Sequence, residues 1–127
     1  MRCLLDTHAI IWLAENSYKL PLKIKEIIRQ SENEIYISSV SLWEIAIKMN
    51  LDKLDLDFTL GELLIAVKEN DFCVLQIEDD YLKNLSELPF LHKDPFDRLL
   101  ISTALAEDLT IITIDENIQK YDVKWEW

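Results

Sequence analysis

The stretch DPFDRLLISTALAEDLTIITID, Asp94 to Asp115, decides how this chain folds. It opens with an aspartate and a proline, which suit a helix N-cap and first position. The carboxylate accepts an orphan backbone N–H, and the proline has none to leave unpaired. Apolar residues then recur at helical spacing as far as Ala106. After them TIITI, Thr110–Ile114, is a β-branched run that reads as a buried strand stopped by Asp115. A helix that leads straight into an apolar strand is the second half of a βαβ unit.

The same alternation extends outward in both directions. Arg2–Leu5 is a short apolar run stopped by Asp6, and Ala9–Ala14 reads as a buried helix. Pro21 starts a helix with Ile24, Ile27 and Ile28 on one face and Lys23, Lys25 and Arg29 on the other. EIYIS, Glu34–Ser38, is a strand. Ser41 and Glu44 have capping-box spacing at the start of a helix through Met49, and Thr59 and Glu62 repeat it before Leu63–Val67. Phe72–Ile77 is the next strand, followed by a short helix from Asp79 to Leu85. Val123, Trp125 and Trp127 alternate with Lys124 and Glu126 as a half-buried last strand. Parallel neighbours need crossovers, so strands separated by helices predict an α/β fold with a mainly parallel sheet flanked by helices. No linker or repeat divides the chain, and the expectation is a single domain over residues 1–127.

Composition removes other classes. The chain has 127 residues, 50% of them apolar, enough to fill one core. A single glycine, Gly61, where average usage would give about nine, excludes glycine-rich phosphate loops. Twenty-four acidic side chains against 13 basic ones give a net charge of −11, which argues against broad electrostatic coating of nucleic acid. Cys3 and Cys73 lie in apolar runs and read as buried thiols. They and the two histidines, His8 and His92, lack zinc-site spacing. Asp6 and His8 interrupt any signal-peptide core, and no apolar run is long enough to span a membrane. A reduced, cytoplasmic protein is expected.

In an open parallel sheet, ligands bind beyond the carboxyl ends of the strands. Asp6 and Asp115 each end a strand and belong on that rim. Glu44 and Asp97 sit near helix starts that face it, where helix N-termini favour carboxylates. Taken singly, each has a plainer explanation, and for Glu44 that is the capping box. Together they are costly. Each carboxylate pair about 5 Å apart repels by ~3 kcal/mol at an effective dielectric near 20. Such a cluster must be protonated or bind a cation. Oxygen donors without histidine or thiolate select a hard ion, Mg²⁺ or Mn²⁺, which activates water for phosphodiester hydrolysis.

DTHAIIWL at Asp6–Leu13, SSVSLWEIAIK at Ser38–Lys48, LPFLHKDPFDRLLISTA at Leu88–Ala104 and LTIITID at Leu109–Asp115 resemble the PIN domain. More narrowly, they resemble the VapC toxins of bacterial toxin–antitoxin pairs. The likeness runs from Asp6 to about Val123 in the family's order and spacing. It implies a three-layer fold with strand order 3-2-1-4-5, which places the strands ending in Asp6 and Asp115 side by side. It also implies a magnesium-dependent ribonuclease whose catalytic and metal-binding acids are Asp6, Glu44, Asp97 and Asp115. An antitoxin partner, an RNA substrate and a homodimer follow from the same resemblance. Two glycine positions of the family hold Asp52 and Asp108 here, and aspartate tolerates the left-handed conformation such positions require. A basic residue is common in the family just before the last aspartate; here it is Ile114.

Neighbouring residues have roles to be decided. Asp94 reads as the helix cap, with contact to metal-bound water as the alternative. Thr7 and Ser39 either orient carboxylates or water, or cap backbone locally. Arg98 binds a phosphate or pairs with an acid. Lys48 is placed for an i,i+4 ion pair with Glu44. His8 reads as a packed histidine, His92 as a loop residue, and Trp12 and Trp43 as core or interface. Two other functions compete with a nuclease toxin. One is a PIN-like interaction subunit acting mainly through antitoxin binding, and the other a metal-dependent phosphatase. The phosphatase is weaker, because Thr7-His8 follow Asp6 where a second acid is usual.

Overall fold

The computed structural model describes residues 1–127. Its elements are β1 (Arg2–Leu5), α1 (Thr7–Ala14), α2 (Leu22–Arg29), β2 (Glu34–Ser38), α3 (Ser39–Asn50) and α4 (Leu60–Glu69). These are followed by β3 (Cys73–Leu75), α5 (Asp79–Glu87), α6 (Pro95–Glu107), β4 (Thr110–Ile112), α7 (Glu116–Gln119) and β5 (Trp125–Glu126). The strands form one sheet in the order β3-β2-β1-β4-β5, with every neighbouring pair parallel. The expected order is therefore found, and the sheet is parallel throughout.

Strand alternation divides the core into two layers. Cys3 and Leu5 of β1, with Ile35, Ile37 and Ile112, face Ile10 of α1, Ile24 of α2, Ile45 of α3 and Leu63 of α4. Leu4 and Ile111 point the other way, onto Leu100, Ile101 and Ala104 of α6 and Ile118 of α7. Fully burying one such aliphatic side chain is worth about 1.5–3 kcal/mol, so the two-sided pattern sets the register firmly. In that register Leu5 lies opposite Ile37 on one side and Ile112 on the other. The next residues along, Asp6, Ser38 and Thr113, therefore share one rim.

The structure corrects several details. The Ser41–Glu44 capping box does not form. β2 runs into α3 without a loop, and Ser38, still extended, caps the helix by accepting a hydrogen bond from Val40 N at 3.1 Å. Glu44 is thereby placed in the second turn of α3. The Thr59–Glu62 box does form, with both reciprocal bonds present. β3, β4 and β5 are shorter than the apolar runs that announced them. Cys73 is exposed, because β3 is an edge strand, whereas Cys3 on central β1 is buried. His8 is exposed on α1 rather than packed inside, its ring against Trp12 at 5.5 Å. Trp43 is largely exposed as well, edge-on to Phe96.

Asp52 and Asp108 both adopt φ of 53°, the left-handed conformation expected at those family glycine positions. Asn16 and Asp71 do the same, while Gly61 lies inside α4. No helix is long and apolar enough to cross a membrane.

Candidate active site

Asp6 and Asp115 are tied to the rim by backbone. Asp6 follows β1 and caps α1, its Oδ1 accepting from Ala9 N at 2.8 Å. Asp115 caps α7 in the same way, accepting from Asn117 N at 2.8 Å. Thr113 joins them: its buried hydroxyl hydrogen-bonds to the Asp6 carboxylate and accepts from Asp115 N at 2.9 Å. Sequence reading overlooked Thr113, counting it only as part of an apolar strand.

Glu44 reaches the same region from α3 and is only 5% exposed. The Thr7 hydroxyl donates to its Oε1 at 2.7 Å, and Lys48 Nζ lies 2.7 Å from its Oε2. Thr7 thus orients a carboxylate, and Lys48 makes the i,i+4 pair. Asp94 is the α6 cap, accepting from Phe96 N at 2.8 Å and Asp97 N at 3.2 Å. Asp97, in the first turn of α6, faces inward. Ser39 makes no side-chain hydrogen bond, since Ser38 has taken the capping role.

Electrostatics show which acids meet. Asp97 is pushed up to about 7, first by burial and then by the charges of Asp94, Asp115 and Glu44. Asp6 is also raised, chiefly by burial and further by Asp115, against the hydrogen bonds from Thr113 and Ala9. Asp6 therefore senses Asp115, and Asp97 senses both Asp115 and Glu44, although the four do not close into one set of ligand atoms within 4.8 Å of one another. Carboxylates set close enough to repel one another fit a hard divalent cation, which would relieve their repulsion.

His92, undecided from the sequence, also joins the site. Its Nε2 lies 3.0 Å from Asp97 Oδ2, and His92, Asp94 and Asp97 each offer a ligand atom within 4.8 Å of the others. The spacing HKDPFD held the signal, but a loop has no period from which to infer where the imidazole turns. Arg98 makes no ion pair with an acid. Its Nη1 donates to the carbonyl of Pro89 at 3.1 Å, and to the Tyr121 hydroxyl at 3.0 Å, and its guanidinium covers the Phe90 ring at 4.8 Å. The reason is geometric: the residue after inward-facing Asp97 is turned about 100° around the helix, toward the Leu88–His92 loop.

No curated protein sequence matches the chain. Among solved structures, VapBC2 from Rickettsia felis, bound to a DNA fragment from its promoter, is 20% identical with a TM-score of 0.72, the match covering 99% of this chain and 98% of that one. DNA-bound VapBC from Salmonella typhimurium is 18% identical with a TM-score of 0.70, covering 99% and 97%. A toxin–antitoxin complex from Klebsiella pneumoniae is 16% identical with a TM-score of 0.68, covering 98% and 96%. At these identities the likeness is one of fold. The sequence itself matches the PIN domain across residues 3–124, from β1 to the approach to β5 and including all four acids, and on that match the chain belongs to the PIN domain family.

Proposed function

We propose that this protein is a divalent-metal-dependent endoribonuclease of the VapC kind, the toxin half of a toxin–antitoxin pair. The observation that carries the reading is the setting of Asp97, half-buried beside Asp94 of its own helix cap and within the field of Glu44 and Asp115 from two other segments, which pushes its carboxyl up to about 7. Such an arrangement costs stability in the free protein and becomes favourable when a cation enters. In this reading Asp6, Glu44, Asp97 and Asp115 hold Mg²⁺ or Mn²⁺, directly or through water. Bound there, the ion would lower the pKa of a water so that its deprotonated form could attack an RNA phosphodiester, and would offset the charge that develops on the phosphoryl oxygens.

The chain's own residues prepare that chemistry. Thr7 and Lys48 hold the Glu44 carboxylate between them, and Thr113 links Asp6 to the Asp115 backbone. Asp94 anchors the first turn of α6, from which Asp97 projects, and His92 holds one of its oxygens. A cation held there would bind the deprotonated form of Asp97, its proton passing to solvent. Nothing here requires a 2′-hydroxyl nucleophile, so single-stranded DNA is a second substrate to test.

Of the named structural relatives one is a toxin–antitoxin complex and two are VapBC structures, which supports a cognate antitoxin as partner; the homodimer rests on the resemblance to VapC toxins. A net charge of −11 suits an arginine-bearing partner. Two free cysteines agree with a cytoplasmic setting. The test is cleavage of total cellular RNA by the purified protein with Mg²⁺ or Mn²⁺, beside Asp6→Asn and a chelator control. Activity that survives in Asp6→Asn, or in excess chelator, rejects the reading. Antitoxin binding without cleavage or growth arrest points to the interaction subunit, and hydrolysis of a phosphomonoester but not RNA to the phosphatase.

A further inference from the structure

Phe90 stands out beside the acidic pocket. It is 74% exposed, yet the Leu88–His92 loop that carries it is tightly held. The Tyr121 hydroxyl accepts from Leu91 N at 3.0 Å and from His92 N at 3.1 Å. Arg98 donates to Pro89 O and to the same hydroxyl, while its guanidinium lies under the Phe90 ring at 4.8 Å. Two residues further on, His92 touches Asp97. An exposed phenyl ring normally lowers its cost by turning onto the protein surface. Here the loop is anchored so that one face of the ring rests on a cation and the rest is left to solvent, two residues from the histidine that touches Asp97.

We propose that Phe90 is a base-stacking platform for single-stranded RNA, seating the nucleotide next to the scissile phosphodiester; this rests on the ribonuclease reading above. Charge favours RNA stacking over a phosphate-gripping groove. The chain is strongly acidic, and the arginine nearest the pocket is spent on loop carbonyls and on the back of the ring. Binding energy for a polyanion must then come from bases rather than phosphates. Stacking on an aromatic ring accepts every base, and a guanidinium behind the ring braces it.

The experiment compares wild type, Phe90→Ala, Phe90→Trp and Tyr18→Ala on a short fluorescein-labelled single-stranded RNA of mixed sequence. Tyr18 is the control, 91% exposed beyond the far end of α1. Phe90→Ala is expected to raise KM roughly 10- to 100-fold with kcat nearly unchanged, the loss of one base stack. Phe90→Trp and Tyr18→Ala should stay near wild type. The slope of log KM against log salt should not change, because no phosphate contact is lost. One abasic nucleotide at the seated position should erase the difference between wild type and Phe90→Ala. An unchanged KM, a fall in kcat as large as the rise in KM, or equal losses on every abasic substrate overturns the proposal while leaving the nuclease reading intact. If the wild type cuts no RNA, the nuclease reading fails separately. Fluorescence anisotropy of the same RNA on Asp6→Asn, with and without Phe90→Ala, then decides: a 10- to 100-fold weaker Kd supports stacking, and an equal Kd overturns it.

Discussion

Helix α6 carries aspartates at both ends, and the two ends behave in opposite ways. At its N-terminus Asp97 is pushed up to about 7, while just past its C-terminus Asp108 is held below its usual value, first by its hydrogen bond to Lys124 at 2.9 Å. The helix dipole alone predicts the reverse, since it stabilises a negative charge at the N-terminus and opposes one at the C-terminus. That effect is typically 0.3–1 kcal/mol. A rise from 3.8 to about 7 corresponds to roughly 4 kcal/mol, so burial among other carboxylates outweighs the dipole. Asp108 is exposed, lies in the left-handed conformation, and serves to end the helix. The same residue type marks a site at one end of α6 and a turn at the other.

The sharpest way to break this comparison is Asp6→Asn. The amide oxygen still caps α1 and accepts from Thr113, so the fold keeps its bonds while the pocket loses a charge. RNA cleavage should fall on the order of 10³-fold, with thermal stability unchanged or higher. A variant that unfolds, or one that still cleaves, contradicts the assignment of the rim acids.

The pH dependence of stability comes next. Asp97 binds its proton more tightly folded than unfolded, so its contribution is present at low pH and is lost as pH rises from about 4 to about 7. Asp6 adds in the same direction. Asp108 is of opposite sign: its contribution is present above the usual carboxylate value and is lost as pH falls below it. Urea unfolding in chelator across pH 4–8 should show the loss with rising pH, and Asp97→Asn should flatten it. Adding Mn²⁺ should raise Tm more at pH 8 than at pH 5, because cation binding competes with the Asp97 proton. An equal rise at both pH values would separate Asp97 from the cation.

Tyr121→Phe tests the clamp that supports the N-terminal end. It removes the acceptor for Leu91 N and His92 N and a partner of Arg98. A cost of about 1–3 kcal/mol in denaturant unfolding is expected, together with lower activity as His92 is released. Stability equal to wild type would mean that water replaces the hydroxyl. The smallest effect belongs to the other end. Asp108→Gly relieves a left-handed backbone but loses the contact with Lys124 and frees the unfolded chain. Stability should shift by less than about 1 kcal/mol with cleavage unchanged. A large loss of activity there would show that the two ends are coupled.

Much of this molecule follows from patterns only a few residues long. The aspartates after CLL and TIITI, the Asp94-Pro95 helix start and the Thr59–Glu62 box were readable, because strand ends and caps depend on near neighbours. The left-handed Asp52 and Asp108 were readable too, with the help of family glycines. Ser38 displaced Ser41 as a cap because chain direction at the end of β2, not spacing, chose the hydroxyl. The charge of Asp97, the bonds from His92 and Thr113, and the Arg98–Tyr121 clamp under Phe90 lay beyond any local pattern. They join side chains from segments up to about a hundred residues apart in the chain, and Coulomb energy and desolvation depend on distance through space. The amino-acid order was enough to place Asp6 and Asp115 after strands and Asp97 in the first turn of a helix. Their mutual influence across separate segments, and the raised carboxyl of Asp97, came from the folding of the sheet.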